Sequence, residues 1–532
     1  MKRMAPLAAF GLAAAFCVLM ASQAWAQKYG GVLRATLRGN PTSLSIHETA
    51  SSDAVLSMSP VYNSLVNFDI FKPNESMETI VPELAESWAW SSDYTALTFK
   101  LHRGVKWHDG KPFTAADVKH TFDVVRGAKQ SGMKLNPRKL WYTNVSEITT
   151  NGDHEVTFHL GRRQTSVLHM LAAGYSPIYP AHRRFSEVRT SAVGTGPFTL
   201  ETYKRDQFVT VKKNPAYFVS GRPYLDGVRF NIIKGAATQI AALVSNQVDT
   251  GTINTVQYPQ YLQLKESGAN LVYHERVANT TYNVIVNFKK PPFNNPKIRE
   301  AVNLSLYRPD LIRSFFQGGG VPGGALIPQP YGAWGLTQED LKTLPGYGGT
   351  PHEEEVAKAR KIMESLGYSR EKPLKVVIST RSPSFYTGPA TWMIGQLKDV
   401  WIEATLKTVE TGNWYGMVAR RDFQMGMNAT AIGIDDPDAN FYETYACGSQ
   451  RNYSDYCNPE LMKKVDRQSM ETDLERRKAL VREIDLQLQR ELARPYLAYR
   501  KYWYPHYPYV KNWLPHISIY NGWRLQEVWL DK

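Results

Sequence analysis

Between residues 95 and 125 the chain reads as a strand, a tight turn and a capped helix in immediate succession. Thr95, Leu97, Phe99 and Leu101 alternate with Tyr94, Ala96, Thr98 and Lys100, the period of a half-buried strand. Asp109-Gly110 is a turn dipeptide, and Thr114 stands three residues before Asp117, so a hydroxyl and a carboxylate can cap the helix that follows. Val118, Phe122 and Val125 share the inward face of that helix. The same stretch, KWHDGKPFTAADVKHTFD (106–123), holds two histidines and three aspartates and so raises the question of a metal or acid–base site. Asp117 and His120 are spaced to meet on the helix surface. A metal would need His108 to converge on them, and neither HExxH nor a tight His/Cys pairing is present. The stretch is read as scaffold.

Both periods recur along the chain, with no internal repeat. Glu155–Leu160 alternates as a second strand, and Phe208–Lys212, Val228–Ile233 and Leu374–Thr380 are further strand candidates. A helix is predicted from Thr350 as N-cap through Pro351 at its first position to a stop at Gly367, with Val356, Ala359, Met363 and Leu366 on one face. Leu474, Val481, Ile484, Leu488 and Leu492 mark another, ended before Pro495. Pro291-Pro292 and the run Gly318–Gly324 read as loops. Strands and helices mixed throughout indicate an α/β or α+β class.

Lys2 and Arg3, the apolar run Ala8–Met20 and Ala24-Trp25-Ala26 form a secretory signal with a small-x-small cleavage site, expected to leave 506 of the 532 residues. That length exceeds what one hydrophobic core supports, so more than one domain is expected. The charge of +14 falls to +12 without the signal and is dispersed, with no basic block of the kind that binds nucleic acid. Two cysteines remain, Cys447 and Cys457, in CGSQRNYSDYC. In an oxidising compartment an even pair this close points to one disulfide, with zinc the rival reading.

Catalytic signatures fail. Gly318-x-Gly320-x-x-Gly323 lacks the strand-before, helix-after context of a dinucleotide fingerprint and contains Pro322; there is no Walker lysine loop and no G-x-S-x-G elbow. Thirteen Trp and thirty Tyr are a positive signal, since flat aromatic faces suit a solute held in a cleft; core packing is the plainer account of most of them.

Five stretches carry a resemblance to a known family: LTFKLHRGVKWHDGKPFTAADVKHTFD, VGTGPFTL with KKNPAYF after it, NFKKPPFNNPKIREAVNLSLYRPDLI, the capped helix ending at Gly367, and DDPDANFYETYACGSQRNYSDYCNPEL with its cysteine pair. In order and spacing they resemble the extracytoplasmic solute-binding proteins of ABC transporters, dipeptide/oligopeptide/nickel class (family 5). The resemblance implies an α/β two-lobed periplasmic binding protein of type II, cluster C, with an extra N-terminal subdomain and a hinge. Lobe I would gather residues 27–51, 192–279 and 498–532, with an inserted subdomain at 52–191, and lobe II would span 280–497. It also implies a monomer that captures a small-molecule or peptide-like ligand and hands it to an ABC permease with its ATPase subunits. Membrane contact would come only through the permease, and no catalysis, cofactor, metal or nucleic acid is involved. A secreted hydrolase acting on peptides or glycans is the competing class.

Peptide-binding members grip the peptide's amino terminus with an acid in a D-x-x-[DE]-P pattern. Here that segment is Ala429–Pro437, and the acid's position is Gly433. Asp435 is a substitute only by a shift of register; two adjacent aspartates before a proline more often make a turn or cap. Arg381 lies where dipeptide binders place a carboxylate-binding arginine, and a structural ion pair is its alternative role. Trp414, Asn428 and Thr430 are expected as cleft walls, with Tyr62 facing them from the first lobe. Gly433 and Arg381 together favour a polar or anionic solute over a simple zwitterionic peptide.

Overall fold

The computed structural model describes residues 27–134, 136–251 and 256–532; the predicted signal, 1–26, lies outside them. Three larger sheets organise the described residues, beside two two-stranded ones. One has four strands in the order Val32–Leu37, Gly227–Ile232, Phe208–Lys213, Phe198–Lys204, its first pair parallel and the others antiparallel. A second, fully antiparallel, runs Ala85–Trp90, Ala96–Leu101, Glu155–Leu160, Val145–Thr150. Its alternation is the one read in the sequence: Leu97, Phe99 and Leu101 point inward with Val156, Phe158 and Leu160. Helix Ala115–Val125 lies on that face, with Phe122 edge-on to Phe158 at 5.2 Å.

The third sheet has six strands, in the order Gly320–Val321, Tyr496–His506, Val272–Val286, Met425–Ala431, Leu374–Arg381, Ile402–Val409. Val272–Val286 and Tyr496–His506 are its long antiparallel pair, fifteen and eleven residues, paired from Val272↔His506 to Asn283↔Tyr496 with register shifts after Val277 and Tyr282. They belong to two cores at once. Ala278, Tyr502 and Tyr504 pack with the first sheet and the antiparallel one. Tyr282, Val284, Val286, Leu497 and Ala498 pack instead with Val376, Ile378, Met425 and Met427. Two strands crossing from one core to the other are what a two-lobed molecule needs at its hinge.

The structure adjusts several predicted boundaries. Pro351, in extended conformation, is the N-cap of helix His352–Ser365, and Thr350 makes no capping bond. The first turn is held by acids instead, and Glu355 turns back to accept the Gly346 N–H at 2.9 Å. Gly367 does end the helix, at φ +81°, a backbone state that glycine adopts without strain. The last amphipathic helix is Leu474–Arg490, capped by Asp473, with Leu474 exposed at its start and Leu492 beyond its end. Within the glycine run, Gly320–Val321 is a short strand rather than loop. Cys447 and Cys457 are joined as a disulfide. Among the described residues no helix is long and apolar enough to cross a membrane.

Candidate ligand-binding cleft

The KWHDG region is occupied by structural bonds. The Nε2 of His108 bonds to the Gly196 carbonyl at 3.1 Å and its Nδ1 accepts the Gly194 N–H at 3.3 Å, tying the turn to the GTGPF return strand. Asp109 pairs with His182 at 2.7 Å. Asp117 accepts the N–H groups of Thr114 at 2.8 Å and Ala181 at 2.7 Å, and the Trp107 indole N–H at 3.3 Å. The expected Asp117–His120 contact does not form: both ring nitrogens of His120 lack partners, and the ring packs near Phe185 instead. Among the described residues no cluster of three His, Cys, Asp or Glu could hold a metal.

Arg381 ends the strand Leu374–Arg381, and parallel pairing with Met425–Ala431 brings the side chain of Asn428 beside it. Its Nη2 donates to Asn428 Oδ1 at 2.7 Å and to the Ala429 carbonyl at 3.1 Å. Asn428 Nδ2 passes the network on to Thr430 Oγ1 at 3.0 Å, where Asn283 also donates, at 3.3 Å. The guanidinium stacks 3.8 Å from the ring centre of Tyr386, with Trp414 and Tyr415 each at 5.7 Å. The structural ion pair considered for it is absent: no acidic side chain of the described residues lies within ion-pair distance. Arg381 is 6% exposed, yet its Nε has no partner; nor have the Trp414 indole nitrogen and Asn283 Oδ1. Buried polar atoms in that condition are uncommon in folded proteins, and here three of them fall within one cluster. Arg381, Trp414, Asn428 and Thr430 thus come together. Tyr62 does not: it is buried in the first core against Tyr179, its hydroxyl donating to the Leu44 carbonyl at 3.1 Å.

Gly433 is fixed by crowding. A Cβ there would overlap Cη2 of Trp141 and stand 3.1 Å from Cζ2, with Tyr175 at 3.5 Å. Its carbonyl accepts Ser518 Oγ at 2.7 Å and Asn521 Nδ2 at 3.4 Å. Two residues on, Asp435 accepts the Ala333 N–H on Oδ2 at 2.9 Å, while its Oδ1 is buried without a partner. Burial pushes this carboxyl up to about 7, with the Ala333 bond opposing and the charge of Glu75 adding to the rise. Glu75 shows the same incompleteness: Oε1 takes the Ser518 N–H at 3.1 Å and Oε2 takes nothing. Asp436 is the structural member of the pair, capping helix Pro437–Tyr445 and bonded to Arg477 and His169; against the effect of burial, these charges hold it at about 2.

Tyr386, Asn283 and Glu75 were not singled out from sequence, and Tyr415 only as part of the aromatic stretch Asn413-Trp414-Tyr415. Tyr415 directly follows Trp414, and Tyr386 lies five residues past Arg381, so proximity to those two was the only signal available. Glu75, more than three hundred residues from Asp435, carried none.

Comparisons with known proteins agree with this architecture. The family model for bacterial extracellular solute-binding proteins, family 5 (middle part) matches residues 79–452. A probable di/tripeptide-binding protein of Pseudomonas aeruginosa is 25% identical over 448 residues, 78% of this chain and 79% of that protein. The dipeptide-binding protein of Escherichia coli is 26% identical over 434 residues, 75% and 76% of the two chains. Among solved structures, the periplasmic binding protein AgaA of A. tumefaciens R10, in complex with agropinic acid, superposes with a TM-score of 0.82 at 22% identity. That match covers 94% of this chain and 99% of AgaA. DppA of Helicobacter pylori, in complex with the peptide STSA, gives 0.81 at 22% identity, covering 95% and 99%. The chain belongs to the family 5 extracellular solute-binding proteins. It has their two-lobed fold, and its activity is solute binding for an ABC importer rather than catalysis.

Proposed function

We propose that this family 5 protein is exported by cleavage of residues 1–26 and works in the periplasm as a monomer, closing on a small polar or anionic solute and presenting it to an ABC permease and its ATPase subunits. The lobes are residues 27–51, 192–279 and 498–532, with 52–191 inserted, and residues 280–497, moving about the strands Val272–Val286 and Tyr496–His506. Arg381 receives a carboxylate of the solute, Trp414 and Tyr386 cover it, and Asn428 and Thr430 hold the guanidinium in place. The observation that carries this reading is a buried arginine with an unpartnered Nε, no acid beside it and aromatic rings around it. Charge-assisted bonds to such a fork are about twice as strong as neutral ones.

A second reading has its own support. The unpartnered oxygens of Asp435 and Glu75 form an acidic point fit for an ammonium group, and with Arg381 they would grip a peptide-like zwitterion. It agrees with the peptide binders among the relatives.

Native mass spectrometry of the gently purified protein tests the first reading. Wild type retains an acidic solute, and Arg381→Gln loses it; equal occupancy in both refutes the role of Arg381. Titration of refolded, solute-free protein with dialanine and N-acetyl-dialanine separates the readings. Tight binding of the free dipeptide that vanishes on acetylation establishes the ammonium site and removes the anionic solute.

A further inference from the structure

Several buried arginines in this protein have partners for their nitrogens, while Arg138 leaves Nε and Nη2, and Arg381 its Nε, without a hydrogen bond. Arg308 donates to three backbone carbonyls and to Asn303. Arg524 holds Glu83, Ser64 and the Ser59 carbonyl, and Arg477 holds Asp436. Arg500 is the extreme case, since Arg138 still has Glu443 at 4.0 Å. It sits on Tyr496–His506 opposite Gly320, is 1% exposed, and none of its three guanidinium nitrogens has a partner.

What surrounds it is aromatic. Its guanidinium carbon lies 4.6 Å from the ring centre of Tyr282, 5.2 Å from Phe316 and 5.5 Å from Tyr502. Tyr282 and Phe316 belong to one core and Tyr502 to the other, so Arg500 stands at the seam between the lobes. The Tyr282 hydroxyl is also without a partner. Its phenol, pushed up by burial, is pulled partly back by the charges of Arg500 and Arg38. Arg38, just past the strand Val32–Leu37, reaches the same aromatic patch, 5.5 Å from the Phe385 ring, and Phe385 in turn lies tilted against Tyr386, the ring beneath Arg381. Arg38 has Asp53 as its charge partner; Arg381 and Arg500 have no acid.

Aromatic faces attract a guanidinium but accept none of its hydrogen bonds along the N–H directions. A buried guanidinium met only by ring faces is incomplete without an anion. Arg381 already commits Nη2 to Asn428 and Ala429, whereas Arg500 offers its whole fork. Two strands stand between theirs in the sheet, Val272–Val286 and Met425–Ala431, so at the usual strand spacing the two strands are roughly 14 Å apart, and Arg500 lies four residues along its strand from Tyr496, the residue level with Asn283. We infer that Arg500 binds a second acidic group of the same solute, so that the solute is a small molecule carrying two carboxylate-type groups several bonds apart. This rests on the role of Arg381 proposed above and specifies the ligand class.

The test uses full-length mature protein stripped of solute by unfolding and refolding, titrated with the dicarboxylates succinate to pimelate and with the monoamide of each, read by tryptophan fluorescence. In wild type the best-fitting dicarboxylate binds about tenfold to a hundredfold more tightly than its monoamide, the ratio expected of one added charge-assisted site. Arg500→Gln brings the dicarboxylate down to the level of the monoamide, and Arg500→Lys keeps part of the difference. Circular dichroism melts of both variants check folding. The inference is overturned if dicarboxylate and monoamide bind alike, if no member of the series binds, or if Arg500→Gln keeps the ratio. The two claims fail separately: a ratio that survives in Arg500→Gln while Arg381→Gln abolishes binding sinks only the second site. Binding untouched by Arg381→Gln sinks the reading of the cleft itself.

Discussion

Gly433 stands where peptide-binding relatives are expected to carry an acid, and the structure gives a steric reason for its absence. The backbone there lies outside the left-handed region, so space, not conformation, is the constraint. Trp141 fills the position from the N-terminal part of the chain, 1% exposed and held by its indole N–H on the Ala439 carbonyl at 3.0 Å. A methyl at Gly433 must displace the six-membered ring of that indole. Overpacking of this kind costs about 1–3 kcal/mol, and an aspartate adds the burial of a charge, several kcal/mol more unless it is paired. Gly433→Ala is therefore expected to lower stability by about 1–3 kcal/mol in otherwise native protein. In a Trp141→Phe background, which removes the ring atoms in the way, it should cost less than about 0.5 kcal/mol, a coupling within the range seen for contacting residues. The assay is urea unfolding followed by circular dichroism, on four proteins that complete a double-mutant cycle. Equal costs of Gly433→Ala in the two backgrounds, or none in the native one, would refute the claim that Trp141 dictates the glycine.

Two further outcomes follow from groups of opposite character. Asp435 is ionised in an unfolded chain above about pH 4, but burial holds it protonated in the folded one up to about 7. The folded state then binds the extra proton, and ligand-free stability falls as pH rises from about 4 to 7 and levels off above. Asp435→Asn should be more stable than wild type at pH 8 by on the order of 2–4 kcal/mol, with the difference closing toward pH 4; a gap independent of pH in thermal melts contradicts this. His108→Ala with Asp109→Asn removes two bonds to the return strand and one partly exposed pair, so it should cost about 1–3 kcal/mol of stability. Solute affinity should stay within a few-fold, and a loss beyond tenfold in titration would return the KWHDG turn to the working site.

The parts of this molecule that were legible in sequence are those whose causes are local. Alternation at 95–101 and 155–160 gave both strands because one face of their sheet is buried and the other is not. The turn and cap at 109–117 were legible because turn and cap residues act within a few positions of themselves. Where the competing forces were also local but close in strength, the reading slipped by a residue, as at Thr350, where Pro351 takes the cap without a side-chain bond. The cleft was half legible. Arg381, Asn428 and Thr430 lie on neighbouring strands whose resemblance to a family fixed their place. Arg500, Arg38 and Glu75 come from distant parts of the chain, and an arginine in a strand gives no sign of whether its nitrogens will find carbonyls or nothing. What singles out Arg500 and Glu75 is the missing partner, and what singles out Arg38 is the aromatic patch it reaches, properties only the folded molecule has.

That missing partner also bears on how the protein works. The structure buries Arg500, Arg381 Nε, the Trp414 nitrogen, the Tyr282 hydroxyl and one oxygen each of Asp435 and Glu75 without hydrogen bonds. In an open form water reaches such groups and satisfies them, so closing without solute strips hydration and returns nothing. Each unsatisfied buried polar group costs about 1–3 kcal/mol, and charged ones more, so the empty closed state is raised by several such contributions. Bonds across the mouth pull the other way: Arg162 to Asp466 at 2.7 Å, Gln164 to Asp438 at 3.2 Å and His169 to Asp436 at 3.1 Å. The partly exposed Arg162–Asp466 pair is worth little, about 0–1 kcal/mol, whereas the Gln164 and His169 bonds are buried and weigh more. A solute that supplies acidic groups to Arg381 and Arg500 removes the largest penalties and exists only in the closed form's favour. It therefore shifts the population by its differential affinity for that form. On the function proposed above, the unpaired polar groups of the seam are the means by which a permease tells a loaded binding protein from an empty one.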